Sequence, residues 1–97
     1  MGLLSNFKEN LHYRRSLIMF DQSGKTIRPE LTEFAIAMEM VLRKHDNKKK
    51  DTWKKIPEEN LRLMLMTEVY EFIDSKDKNE LIDVANICMM LFMRGKK

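Results

Sequence analysis

Residues 84–93 read VANICMMLFM, and Asn86 is the one polar residue among them. A helix of that composition wants burial on every side. In a chain of 97 residues it must be central or shared with a second subunit. So short a chain makes one domain and buries only a modest fraction of its surface, so an added subunit, metal or staple is expected. The apolar share of 43% and the charged share of 34% place it with ordinary globular proteins.

The net charge of +3 is modest, and apart from Lys48, Lys49 and Lys50 the basic residues are scattered, which argues against a nucleic-acid partner. Cys88 is the only cysteine, so there is no intrachain disulfide and no cysteine-based zinc site. A reducing, cytoplasmic interior is the expected setting. MGLLSNFKENLHYRR at the start lacks the layout of a secretory signal. Asn6 stands where a myristoylation motif wants a hydroxyl. The longest apolar run, ICMMLFM at 87–93, is far short of the ~20 residues that span a bilayer, so no membrane partner is expected.

Three helices follow an N-terminal arm over 1–28, whose LIMFDQSGKTI stretch suits either a small strand pair around Ser23-Gly24 or an irregular segment. Arg28-Pro29 marks the first helix start. Leu31, Phe34, Ala35, Met38, Val41 and Leu42 then recur at steps of three and four as far as about Lys44. His45 continues that stripe and reads as a core-edge histidine. HDNKKKDTWKK, 45–55, reads as a loop. Pro57 opens a second helix with Glu58 and Glu59 in its first turn, running to about Ser75. Asp77 with Glu80 makes a capping-box start for a third helix, which Gly95 closes. SKDKN is too short for anything but an antiparallel hairpin of the second and third helices. The expected fold is therefore all-α, a helical bundle over 29–97 completed by oligomerisation.

Within that frame, Leu61, Met64, Leu65, Val69 and Phe72 form the apolar arc of the second helix, with Glu68 near its centre and Glu71 on its edge. Glu80, Asp83 and Asn86 follow at steps of three on the third. Folding the hairpin about Lys76 sets Glu71 level with Glu80 and Glu68 level with Asp83. Clustered carboxylates repel and cost several kcal/mol to hold in a partly dry place unless a cation neutralises them. Oxygen-only ligands suit Mg²⁺ or Mn²⁺. The bland alternative makes Glu80 a capping residue and Glu71 a partner of Lys78. A di-iron bundle site is set aside because it needs two Glu-x-x-His pairs and the sequence has one, Glu9 with His12 in the N-terminal arm.

EVYE followed by ELIDVAN resembles the ExxE and ExxD metal motif of the all-α nucleoside triphosphate pyrophosphohydrolases, the MazG-like superfamily. FAIAMEMVLRKHDNKKKDTW is similar to the helix and Lys-rich, Trp-ending loop of its small phage and prokaryotic members. Two departures are a shorter connector between the acid pairs and a loop without the relatives' glycine. The resemblance covers most of 31–94. It implies a dimeric or tetrameric helical protein that uses Mg²⁺ to split a nucleoside triphosphate between the α- and β-phosphates, giving the monophosphate and pyrophosphate. Glu68, Glu71, Glu80 and Asp83 then inherit the metal-ligand roles, and Glu68 or Glu71 that of orienting or deprotonating the attacking water.

Lys49, Lys50 and Lys54 are candidates to hold phosphates, Trp53 to stack on a base, and Asn86 to bond a ligand carboxylate or merely a neighbouring helix. Each has a plainer reading as a solvated loop or a core edge. Glu39, at the margin of the first stripe, is a further possible contact. The nine methionines suit core filling or a soft surface for a partner helix; a homodimer through the third helix is expected. No activated Ser or Cys context and no Walker-type glycine loop is present. The alternative to an enzyme is a non-catalytic helical oligomer, or a nucleotide- or nucleic-acid-binding module, built on the same fold.

Overall fold

The computed structural model describes residues 18–49 and 51–95, without the side chains of 47–49. Residues 1–17 of the arm lie outside that range. The described residues hold three helices and no strand: α1 (Pro29–Lys49), α2 (Glu58–Ser75) and α3 (Asn79–Arg94), with a short 3-10 turn at Thr52–Lys54. Among the described residues the fold is all-α, as the periodicity requires. None of these helices is long and apolar enough to cross a membrane.

The two prolines act where expected. Pro29 is the first residue of α1 and Pro57 immediately precedes α2, each with φ preset for a first turn and no amide proton to leave unpaired. The end of α1 corrects the sequence reading. Lys44 is not its last residue, and the helix continues five residues further, through HDNKK. Polarity suggested a loop there, but nothing in HDNKK breaks a helix: it has neither glycine nor proline, and its lysines are good helix formers. The break comes at Asp51, whose φ of 58° leaves the helical region.

The arm settles between its two expectations as a single antiparallel bridge, Phe20 to Thr26. Asp21 organises it: its Oδ1 accepts from the Ser23 amide (2.8 Å), the Ser23 hydroxyl (2.6 Å) and the Lys25 amide (3.0 Å). Gly24 turns the chain at φ 85°, a conformation that costs residues with a Cβ. These hydrogen bonds, that to the Ser23 hydroxyl foremost, hold the Asp21 carboxyl below its usual range.

α3 is the middle element, packed against both α2 and α1, while α1 and α2 barely meet. Its apolar composition explains this place, since it alone has neighbours on two sides. The core is small: Ala37 from α1, Leu61 from α2, and Ile82 and Ile87 from α3 are buried, and Leu61 is fully enclosed. Arg94 ties the Trp53 loop to the end of α3, donating from Nη1 to the carbonyls of Trp53 (3.1 Å) and Ile56 (2.5 Å). The expected faces need two corrections. Leu31 and Phe34 are exposed while Thr32 is buried, so α1 meets α3 on a face rotated from the stripe of largest residues. On α2, Met64 and Val69 lie outside the buried arc.

Candidate metal centre

Leu61, Leu65, Glu68 and Phe72 follow at steps of four, three and four, so they share the face of α2 that is turned inward. Leu61 is buried and the other three are half-buried. Glu68 is therefore held by its apolar neighbours in a place where a carboxylate is costly. On α3, Glu80 and Asp83 lie one turn apart, both half-buried. The three come together: one oxygen from each of Glu68, Glu80 and Asp83 lies within 4.8 Å of the others.

The start of α3 shows why Glu80 is available. A capping box would have its carboxylate reach back to the Asp77 amide. That amide instead donates to the Ser75 hydroxyl (3.1 Å), and the Asp77 carboxylate accepts from the Asn79 amide (2.9 Å). Asp77 caps the first turn without reciprocation, and Glu80 stands with the acids. Nor do Glu71 and Lys78 form an ion pair; the described pairs are Arg43–Glu39 at 2.8 Å, Lys54–Asp51 at 3.7 Å and Arg62–Glu58 at 2.6 Å. Glu39, a possible contact in the sequence, is thus occupied at the surface by Arg43.

The electrostatics of the group follow from burial and crowding. Glu68 is raised from 4.5 to about 7, first by burial, then by the adjacent Glu71 carboxyl and the charges of Asp83 and Glu80. Its Oε2 is buried with no hydrogen-bond partner in the protein. Glu80 is raised by burial and by Glu71, Asp83 and Asp77. Asp83 is raised by burial, with His45 acting the other way and Glu71 adding to the rise. Glu71 is exposed and outside the trio, yet its charge acts on all three members.

His45 is the residue that sequence reasoning undervalued. Read as a core-edge histidine, it is exposed, and its charge bears on Asp83 because α1 packs on α3. The only signal was its place at the end of the α1 stripe. Asn86, one turn beyond Asp83, is buried at 4% exposure. Its Nδ2 donates to the Met38 carbonyl (3.3 Å) and its Oδ1 has no partner, so the bond to a neighbouring helix is present.

The basic loop stands apart from the acids. Trp53 is half-buried, and Lys54 Nζ lies 5.7 Å from the centre of its ring. Both are anchored through Arg94, about 16 Å along the α3 axis from Asp83 at 1.5 Å per residue. Lys50 and the side chain of Lys49 lie outside the described residues.

Three carboxylates around one point, an orphaned buried oxygen and no cationic side chain among them suit a hard divalent cation, which takes oxygen ligands and would offset the burial and the crowding that lift the Glu68 carboxyl. No family model, curated protein or solved structure matches the chain.

Proposed function

We propose that Glu68, Glu80 and Asp83 bind Mg²⁺ or Mn²⁺, and that the chain uses this site to hydrolyse a nucleoside triphosphate between its α- and β-phosphates, releasing pyrophosphate. The convergence of the three carboxylates, with the buried Oε2 of Glu68 lacking a partner, carries the metal half of this reading. The likeness of EVYE and ELIDVAN to the MazG-like motif supports the reaction half.

A divalent cation held there would supply charge neutralisation at phosphate oxygens and a bound water of lowered pKa. The protein's own groups divide the remaining work. Glu68, Glu80 and Asp83 would hold the cation through their carboxylates, whose places are set by the packing of α2 on α3. Glu71, exposed and beside Glu68, orients the incoming water and accepts its proton. His45, near enough on α1 for its charge to act on Asp83, would donate to a phosphate oxygen. Asn86 Nδ2 stays with the Met38 carbonyl, leaving Oδ1 as an acceptor. Trp53 and Lys54, anchored about 16 Å along α3 from Asp83, are given no part in this chemistry.

Release of pyrophosphate from a panel of ribo- and deoxyribonucleoside triphosphates, with and without Mg²⁺ or Mn²⁺, tests the reading. Metal-dependent turnover that is lost in Glu68→Gln and Asp83→Asn is the expected result. A folded protein inert toward every nucleotide with either metal points instead to the non-catalytic oligomer, a reading favoured by the many apolar side chains left exposed on the helices.

A further inference from the structure

α2 has two apolar faces. Opposite the one packed on α3 stand Leu63, Met66, Tyr70 and Ile73, at steps of three, four and three. That is the a/d spacing of a coiled-coil seam. They are 58%, 68%, 70% and 63% exposed, although a monomer has every reason to turn such residues inward. Nothing in the described chain can cover them, because α3 occupies the other side of α2 and α1 barely reaches it.

We propose that this seam pairs with the same seam of a second copy, antiparallel about a two-fold axis beside residue 68. The pattern is self-complementary about that point. Leu63 meets Ile73 of the other copy at each end, and Met66 meets Tyr70 in the middle, a thioether against an aromatic ring. A two-fold axis brings each residue near it against its own copy, so a like charge there would repel. The residues flanking the seam at the axis are Thr67 and Val69, neither of them charged. Arg62, nearer the end, is neutralised by Glu58 at 2.6 Å within its own helix.

Four large side chains this open present roughly 400–600 Å² of apolar surface, the upper range of what a monomer exposes. With Val69 and the rim they bring each protomer toward the ~800 Å² that a standard interface takes. Of the competing surfaces, the outer strip of α3, Leu81, Cys88 and Phe92, has Ala85 in its middle and less to bury, and α1 offers only Leu31 and Phe34 as exposed large side chains. The pairing is independent of the chemistry proposed above, and it leaves the acids facing away from the interface.

Sedimentation equilibrium on the full chain tests the proposal. The wild type is expected at twice the 11.6 kDa of the chain. Met66→Glu should run at the single-chain mass with its helical circular dichroism retained, and Phe92→Glu should stay at the double mass. In a Cys88→Ser background, a short bismaleimide should link Thr67→Cys chains in high yield. It should not link Glu59→Cys chains, whose thiols an antiparallel pairing sets about 27 Å apart at 1.5 Å per residue. A monomeric wild type overturns the proposal, as does a dimer that survives Met66→Glu. Loss of the dimer in Phe92→Glu alone would move the interface to α3, and equal linking at Glu59→Cys would show parallel pairing.

Discussion

Replacing Glu68 by glutamine should make the metal-free protein more stable at neutral and higher pH. Folding holds the Glu68 carboxyl at about 7, against 4.5 for the ordinary group. A carboxyl raised on folding binds its proton more tightly in the native state, so its contribution is fully present below about pH 4.5 and is lost as pH rises through 7. The whole shift corresponds to about 3 kcal/mol at 1.36 kcal/mol per unit, and solvent screening around a half-buried group brings the expected effect to about 1–2 kcal/mol. Glutamine keeps the shape, carries no charge, and its amide can donate to Asp83 or Glu71. Thermal unfolding followed by circular dichroism from pH 5 to 8, with chelator present, measures the difference. The wild type should lose stability across this interval and Glu68→Gln should lose less, giving the variant the higher Tm at pH 8 by about 4–8 °C per kcal/mol. An unchanged pH slope in the variant would refute the assignment of the strain to Glu68.

Glu71→Gln should flatten the same slope in part, because Glu71 raises Glu68, Glu80 and Asp83 together. Its Mn²⁺ affinity, measured by calorimetry, should change far less than that of any member of the trio. Arg94→Ala removes the donor that holds the Trp53 and Ile56 carbonyls and should cost about 2–3 kcal/mol in urea unfolding, as expected for hydrogen bonds from a charged group. Leu61→Ala empties the one fully enclosed large side chain and should cost about 2–5 kcal/mol by the same assay.

What could be read from the sequence was local. Pro29 and Pro57 fix helix starts through φ and the missing amide proton, and both starts fall where expected. Glu68 was legible as an inward acid because it shares a face with Leu61, Leu65 and Phe72, and helical periodicity needs no tertiary information. The phase of α1 was not legible: Leu31 and Phe34 are larger and more apolar than Thr32, yet α3 covers Thr32. The angle at which one helix crosses another is set by ridges and grooves along the whole contact, which no single stripe encodes. For the same reason His45 could not be tied to Asp83. Glu80 carried two readings, cap or ligand, and the Ser75 hydroxyl on the Asp77 amide removes the first. Trp53 and Lys54 were candidates for base and phosphate contact by residue type alone, and residue type carries no information on distance; Arg94 anchors their loop at the other end of α3 from the acids.

Calorimetric titration of the chain with Mn²⁺, beside Asp83→Asn and Glu80→Gln, tests the central claim most directly. A saturable site in the wild type that weakens at least tenfold in each variant, and weakens below pH 7 as Glu68 takes up its proton, is the expected result. No saturable binding, or binding indifferent to both substitutions, would contradict it.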